Sequence, residues 1–315
     1  MSAARRRLLI GVGLAVTAVF AYLAVRDTRP DEIWEALRES DWLWLLPAFV
    51  VLAIGIVLRA LRWWVLFSPA TRPSLGAVLE ATLLGYFFNN VLPLRAGEAA
   101  RIVALRRRAR GSWAETGATV VLERAFDVLA VLGLLFVLVP WLPEVSWLRV
   151  AAALAAVMLV VLVAAAVVLA VWGDRPLKRL LRPLGRFVHA DRVDTGGASL
   201  ARGLVGLRHL SIALPALALT VVSWVVLGIS TWLAMLGFHL GLSPAAGIFV
   251  MIALGLSALL PASPAGVGVF EAAVVVALST YDIDESEALS YALVLHALNF
   301  FPFIAAGLLV LRRRD

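Results

Sequence analysis

The sequence lacks cysteine entirely and holds one lysine, Lys178, and four histidines among its 315 residues. Without cysteine the chain has no disulfide, no thiolate nucleophile and no cysteine-ligated zinc. The histidines are scattered without the spacing of metal ligands, and no nucleophile stands beside a base. The G-x-x-x-x-G-K-[ST] motif of nucleotide-binding loops is also absent. We therefore expect no metal, no cofactor and no enzymatic activity.

Charged residues are scarce as well. They make up 16% of the chain, against 62% hydrophobic residues, and the mean hydropathy is +0.94. A soluble domain is about half apolar and a quarter charged. The net charge of +7 comes almost entirely from arginines in short blocks between apolar runs, a placement typical of orientation signals in membrane proteins. These features predict an all-α integral membrane protein with no nucleic-acid partner.

Six apolar runs are long enough to cross a bilayer, which takes about 20 residues for a ~30 Å hydrocarbon core. No A-x-A cleavage site clearly follows the first run, so we expect it to be a retained helix rather than a signal peptide. The sequence therefore predicts six transmembrane helices, over Leu8–Val25, Trp42–Phe67, Gly117–Val139, Val150–Trp172, Ile212–Leu236 and Leu289–Leu311.

Two further apolar runs are interrupted. Leu75–Leu92 ends at Pro93, and Gly247–Leu260 ends at the Pro/Gly-rich stretch 261–268 before resuming as Val269–Thr280. The arms of the second run are too short to span alone at 1.5 Å per residue, and irregular backbone persists at membrane depth only inside protein or a wet cavity. We predict two re-entrant helical hairpins whose junctions approach each other within the membrane. The alternative is pairs of short, tilted spans.

The distribution of charge predicts the orientation. Arginines at 5–7, 101–110 and 312–314 favour the cytoplasmic side, whereas the acidic stretches 26–41 and 281–288 favour the outside. The arginines at 101–110 can be cytoplasmic only if the first interrupted run enters the membrane from the cytoplasm and returns to it. The sequence thus predicts a multi-pass protein of the cytoplasmic (inner) membrane with both termini in the cytoplasm.

The order of these elements predicts an inverted repeat. Residues 1–149 form two spans, a hairpin entered from the cytoplasm and a span; residues 150–315 repeat this order with a hairpin entered from outside. Transporters often use such repeats, with the binding site near the midplane where the broken helices meet. Each junction carries a proline, a glycine and a glutamate in the same order: Pro93, Gly97, Glu98 and Pro264, Gly268, Glu271.

The first hairpin carries five candidate binding residues: Asn89, Asn90, Arg95, Glu98 and Arg101. Side-chain amides, guanidinium groups and backbone N–H groups left unpaired at a helix break can all donate hydrogen bonds to an anionic head group. Arginine is the strongest of these donors, because its planar, permanently charged guanidinium group can form two parallel hydrogen bonds to a phosphate. In the alternative, the asparagines only cap the first arm and the arginines lie at the cytoplasmic interface.

The span after the first hairpin carries Glu123, Arg124 and Asp127, whose spacing brings them towards one helix face. They form either a charged wall of a substrate path or an internal clamp to a hairpin, and both roles are compatible. Arginine does not lose its proton, and an unpaired charge at this depth is costly. We expect Arg124 to pair with Asp127 or with a hairpin glutamate, Glu98 or Glu271.

The second half offers Ser263, Glu271, His296 and Asn299 as candidates. Glu271 lies alone in an apolar arm, so we expect it to be an isolated titratable group whose charge changes with its surroundings. A single histidine within a span is more often a packing residue than a proton carrier.

Three other charges are expected to be unremarkable in function. Arg59 and Arg62 lie near the inner end of their helix, where long side chains extend to the membrane surface. Glu80 lies about one turn from the interface. The segment Asp31–Asp41 has apolar side chains on one side and predicts a short interfacial helix.

Three motifs, in this order, resemble the lysylphosphatidylglycerol synthase transmembrane-domain family, also called flippase-like or uncharacterised membrane protein family 0104. They are NNVLPLRAGEAAR at 89–101, VLERAFD at 121–127 and PASPAGVGVFE at 261–271. In the multiple peptide resistance factors, this domain moves an aminoacylated phospholipid between leaflets, and a separate soluble domain synthesises that lipid. We expect no synthase domain here, because the chain ends directly after its last span. Other members are linked to polyprenyl-phosphate sugar carriers, so the resemblance leaves the substrate open.

The residues and the resemblance together favour a flippase or scramblase for a phospholipid or a polyprenyl-phosphate-linked lipid. The expected partner is a membrane lipid with an anionic or phosphate-containing head group, because such a group crosses bare hydrocarbon only at prohibitive cost. The alternative is a carrier for a small soluble solute or ion, for which opposed hairpins serve equally well. The sequence leaves the oligomeric state open.

Overall fold

The structure is a computed structural model that describes residues 30–92, 96–109, 112–143, 210–258 and 264–312, with isolated positions between 153 and 164. The predicted span Leu8–Val25, most of the span Val150–Trp172, and the candidates Arg95 and Ser263 lie outside these residues. All regular elements in the described ranges are helical. The prediction of an all-α protein is therefore confirmed.

The helices follow the predicted apolar runs closely, and α1 covers the segment predicted as an interfacial helix. Trp42–Val65, Leu210–Gly237 and Glu285–Arg312 are long and apolar enough to cross a membrane. The helices are α1 (Pro30–Glu39), α2 (Leu45–Val65), α3 (Leu75–Val91), α4 (Gly97–Arg106), α5 (Trp113–Leu138), α6 (Leu210–Gly237), α7 (Pro244–Ser257), α8 (Val269–Leu278) and α9 (Glu285–Arg312).

The outer surface of these helices is apolar. In the three long apolar helices, only 28–33% of the most hydrophobic window is buried inside the protein. Large side chains such as Phe136, Phe301 and Leu309 stand exposed. Apolar surface on this scale marks a contact with another apolar phase, which is expected of an integral membrane protein.

Helices α2 and α6 pack closely along their length. A Cβ atom on Gly55 would lie 2.6 Å from Leu227 Cδ2, so the Leu227 side chain packs directly against the backbone of α2. Ser230 Oγ donates a hydrogen bond to the Ala48 carbonyl at 2.7 Å. Small residues and interhelical hydrogen bonds are the usual means of helix association in a bilayer. The α2–α6 contact therefore joins the two predicted halves of the chain.

The two arms of the first interrupted run fold back on each other. Gly97, which begins α4, lies against Gly85 of α3, and a Cβ on Gly97 would lie 2.0 Å from the Gly85 carbonyl oxygen. Asn89 Oδ1 accepts a hydrogen bond from Gly97 N at 2.9 Å. At the far end of the arms Arg108 pairs with Glu80. Asn89 therefore joins the arms, and the alternative in which it caps only the first arm is wrong.

The second interrupted run also breaks where predicted. Helices α7 and α8 pack together, and a short 3-10 turn, Pro264–Gly266, precedes α8. Ala265, Gly266 and Gly268 have φ angles of +60°, +76° and +81°, a left-handed backbone that glycine adopts at little cost. This turn contacts α3, so the second break lies against the first hairpin.

Helix α9 runs antiparallel to α3. The rings of Tyr86 and Phe303 are stacked with centroids 4.7 Å apart, and Val78 and Val310 share one apolar cluster. A Cβ on Gly307 would lie 2.4 Å from Phe87 Cβ. The last helix is therefore held tightly against the first hairpin, while its N-terminal half packs on α8.

We predict that Gly97→Ala will disrupt the first hairpin. The added methyl group meets backbone of the facing arm, which cannot move aside as a flexible side chain can, and overpacking of this kind costs about 1–3 kcal/mol. The apparent melting temperature in detergent should fall markedly. Gly76→Ala is the matched control, because no atom lies within 4 Å of its Cβ position. Equal melting temperatures for the two variants would contradict the observed packing.

Candidate functional site

A buried guanidinium group, that of Arg62, lies at the centre of the charged residues. Its Nη2 is 2.8 Å from Glu123 Oε1, and its Nη1 donates to Asp127 Oδ1. Nη1 also lies 3.4 Å from Thr220 Oγ1. Arg62 is 1% exposed, so the prediction that it extends to the membrane surface is wrong. The cause is its position on α2, which faces α5 and α6 instead of lipid.

Arg101 extends the ion pairs from α5 to the first hairpin. Its Nη2 lies 2.7 Å from Glu123 Oε2 and 2.9 Å from Glu98 Oε2, and its Cζ lies 4.6 Å from the centre of the Trp63 ring. Arg101 is 7% exposed. Arg101 is therefore enclosed by protein and binds α4 to α5 and α2, and its depth in the membrane stays a prediction.

Arg124 occupies the open edge of the same group of charges. Its Nη2 lies 3.1 Å from Asp127 Oδ2 and 3.6 Å from Glu98 Oε1. The prediction that Arg124 pairs with a carboxylate is confirmed, with Asp127 and Glu98 as the partners and not Glu271. The Arg124 side chain is 49% exposed and that of Glu98 33%. These two residues are therefore accessible from outside the cluster.

We call these six residues the charged network: Arg62, Glu98, Arg101, Glu123, Arg124 and Asp127. Three cations balance three carboxylates, and the members come from α2, α4 and α5. Trp224 of α6 adds a neutral donor, because its indole Nε1 lies 3.0 Å from Asp127 Oδ1. The network thus connects both predicted halves of the chain.

The charged network joins the end of α2, the start of α4 and a part of α5 more than one third of the way along that helix. Glu123 is ten residues into α5 and Thr220 is ten residues into α6, which places each about 15 Å from the start of its helix. The hydrocarbon core of a bilayer is about 30 Å thick. Charges at such a position are expensive in lipid and mark paths for ions or polar groups.

A second, smaller polar pair connects α8 and α9. Glu271 Oε1 lies 2.5 Å from His296 Nδ1, and Glu271 Oε2 accepts a hydrogen bond from Gly268 N at 2.7 Å. The His296 ring is stacked on Phe270 with centroids 4.4 Å apart. The prediction that Glu271 is isolated is wrong, since the last span supplies its partner. The carboxylate therefore joins the backbone break to α9.

The remaining candidates play smaller parts in the described structure. Asn299 Nδ2 donates to the Leu295 carbonyl of its own helix at 2.9 Å and does not reach the polar pair. Asn90 lies partly exposed at the end of α3, and Arg95 and Ser263 lie outside the described residues. Across the part of the chain that the structure describes, no three His, Cys, Asp or Glu side chains form a group that could hold a metal ion.

Three further residues contribute here: Arg59, which the sequence predicted at the membrane surface, and Tyr86 and Trp224, which it did not single out. Arg59 Nη1 donates to the Tyr86 hydroxyl oxygen at 3.0 Å, and its Cζ lies 4.9 Å from the centre of the Trp224 ring. The available signal was the spacing of Arg59 and Arg62, which places both on neighbouring positions of one helix face. Two arginines on one face of an otherwise apolar helix are compatible with polar contacts inside the protein as well as with positions at the membrane surface.

We predict that Arg62→Gln will destabilise the protein strongly. It leaves Glu123 and Asp127 buried with less compensation, and breaking a buried pair in this way costs about 3–5 kcal/mol. The free energy of unfolding, measured by SDS titration in mixed micelles, should fall accordingly. Arg108→Gln breaks a partly exposed pair and should cost about 1 kcal/mol or less. Similar losses for the two variants would show that the Arg62 pairs are not structural.

Restoring charge balance gives a second arm of this test. In the double variant Arg62→Gln/Glu123→Gln one cation and one carboxylate are removed together, so the buried charges balance again. We expect it to be more stable than Arg62→Gln alone. If the two substitutions are simply additive, the residues do not interact energetically.

Residues 10–307 match the family described as Lysylphosphatidylglycerol synthase TM region. Glycosyltransferase AglD of Haloferax volcanii is 26% identical over 96% of this chain and 54% of its own length. UPF0104 membrane proteins of Methanocaldococcus jannaschii and Methanothermobacter thermautotrophicus are 23% and 24% identical, over 70% and 95% of this chain and 91% and 93% of theirs.

The chain thus spans about half the length of AglD and nearly all of these two UPF0104 proteins. The family match confirms the resemblance carried by the three motifs, and it covers both hairpins and the charged network. Together with the apolar helices, it shows that the chain is an integral multi-pass membrane protein of the lysylphosphatidylglycerol synthase TM-region family.

Proposed function

We propose that this protein is a flippase or scramblase that moves a lipid with a phosphate-containing head group between the leaflets of the cytoplasmic membrane. The observation that carries the proposal is the charged network, whose carboxylate Glu123 lies about 15 Å from the start of the apolar helix α5, and which is open at Arg124 and Glu98. A charged network fully enclosed by protein would only stabilise the fold. The exposed residues Arg124 and Glu98 can instead contact the polar head group of a lipid while it crosses the membrane.

The energetic argument follows from the cost of moving charge into hydrocarbon. A single charged group at the centre of a bilayer costs at least about 2.5–3.5 kcal/mol on insertion scales. Arg124 and Glu98 replace part of the lost hydration with a cation and an anion at the same depth. The lipid tails meanwhile can stay against the apolar outer surface of the helices.

We infer a topology of six spans with two re-entrant hairpins arranged as an inverted repeat, with both termini in the cytoplasm. One structural parallel supports it. In each half the glutamate of the second hairpin arm pairs with a basic residue of the following span: Glu98 with Arg124, and Glu271 with His296. The arms of 10 to 17 residues are short for crossing a full bilayer.

We further propose that the chain is not itself an enzyme. The relative named as a glycosyltransferase is about twice the length covered by this chain, so the shared region corresponds to only part of that protein. The membrane region would then supply lipid movement, and any chemistry on the lipid would belong to other proteins or domains. Movement without a nucleotide-binding loop is passive, ion-coupled or driven by a partner.

The direct test is lipid movement in vesicles that contain the purified protein. Lipids labelled on the head group or an acyl chain are exposed to a quencher added outside, and the fraction that becomes quenched is followed in time. We expect more than half of a labelled phosphatidylglycerol or polyprenyl phosphate to be quenched, against about half in protein-free vesicles. Absence of lipid movement, together with uptake of a soluble solute, would support a carrier instead.

We predict that Glu271→Gln will abolish or strongly slow transport while leaving folding intact. Glutamine keeps the shape and the hydrogen bond to Gly268 N but cannot change its charge when its surroundings change hydration. The rate of lipid quenching should fall, while the elution volume on gel filtration stays the same. Glu35→Gln on α1 removes an exposed acid and is the control. An unchanged rate across a range of pH would make Glu271 a packing residue.

A further inference from the structure

Arg59 carries a positive charge that no described carboxylate balances. The charged network is already neutral, with three cations and three anions, and Arg59 is an additional cation beside it. It precedes Arg62 by three residues on α2 but contacts α3 and α6. In the ranges that the structure describes, no carboxylate oxygen lies within 4.0 Å of its guanidinium nitrogens.

The contacts of Arg59 are with neutral groups. Nη1 donates to the Tyr86 hydroxyl oxygen, and the face of the guanidinium lies over Trp224. Nε is buried without an acceptor, and Nη2 donates no hydrogen bond to a described residue. Nε and Nη2 form the edge with which a guanidinium binds a phosphate or carboxylate through two parallel hydrogen bonds. No described acceptor binds either atom, but Nε is covered by other protein atoms, so Nη2 is the nitrogen that a ligand would reach.

Asp127 does not supply the missing charge. It lies within electrostatic range of Arg59, but it already accepts ion pairs from Arg62 and Arg124. The Trp224 indole stands between, donating to Asp127 while Arg59 stacks on its ring. Because arginine does not lose its proton, the surplus charge persists at a depth where an unpaired charge is costly. An external anion would compensate it.

We propose that Arg59 binds the phosphate group of the transported lipid and selects for anionic head groups. This rests on the proposed function and assigns a residue to it. A phosphodiester carries one permanent negative charge, and one of its oxygens can accept a charge-assisted hydrogen bond from the unpartnered Nη2. Tyr86 stacks on Phe303 of α9, so the site lies where helices of both predicted halves meet. The same site would also bind free inorganic phosphate, and the experiment below distinguishes a lipid phosphate from the free anion.

The test measures binding and movement of two fluorescent lipids with the same acyl chains, phosphatidylglycerol and diacylglycerol, which lacks the phosphate. For wild type we expect tighter binding of phosphatidylglycerol. Arg59→Gln should weaken that binding about tenfold or more, since charge-assisted hydrogen bonds are among the strongest polar contacts. It should leave diacylglycerol binding unchanged. Arg108→Gln, which removes a cation at the far end of the hairpin, is the matched control.

Arg59→Lys keeps the charge but loses the planar fork, and provides a second variant if the glutamine variant does not fold. We expect it to elute as wild type does and to bind phosphatidylglycerol with intermediate affinity. Millimolar inorganic phosphate is the competitor arm. If phosphate binds wild type while phosphatidylglycerol does not, the site takes a soluble anion and the lipid assignment is overturned.

The outcomes separate this assignment from the proposed function. If wild type moves lipid and the Arg59 variants bind and move phosphatidylglycerol as wild type does, the assignment to Arg59 is wrong and the flippase proposal stands. If wild type moves no lipid, the flippase proposal fails and the assignment fails with it. Selective loss of phosphatidylglycerol over diacylglycerol in Arg59→Gln supports both.

Discussion

The ion pairs of Arg62 hold the remaining architecture in place. Its guanidinium is buried and contacts carboxylates of α5, Glu123 and Asp127, and a hydroxyl group of α6. In an apolar environment none of these groups can leave its partner without large cost. The position of α2 against α5 and α6 is thereby fixed. Arg101 then attaches the first hairpin to the same carboxylate, Glu123.

The two hairpins are held by different kinds of contact. The first is joined by close glycine contacts, an asparagine bridge and several ion pairs in the charged network. The second is held mainly by apolar packing: a Cβ on Gly228 of α6 would lie 2.6 Å from Ile248 of α7, and α7 and α8 contribute to the large apolar cluster that α6 and α9 share. Its polar contact is Glu271, which binds both the backbone break and His296. A first hairpin held largely by charge thus faces a second one held largely by apolar packing.

The sequence was informative where the controlling physics is local. Long apolar runs fixed the positions of the helices because span length depends only on membrane thickness, and the prolines and glycines fixed the breaks. The partners of Arg62 and Glu271 were not predictable in the same way. Arg62 contacts residues 61 and 65 positions away, and a helix end gives no indication of which neighbour it faces. Whether a terminal arginine extends to the surface or turns inward depends on that neighbour.

The separation of Arg62 from its carboxylates also sets an order of events during biosynthesis. At about 5–20 residues per second, α2 leaves the ribosome some seconds before α5 exists. During this interval Arg62 lacks both of its carboxylate partners, Glu123 and Asp127. Arg62 lies three residues before the end of its helix. Its side chain can therefore extend to the lipid head groups until α5 is inserted, and then form its ion pairs inside the protein. An arginine at the middle of α2 would have no such waiting position.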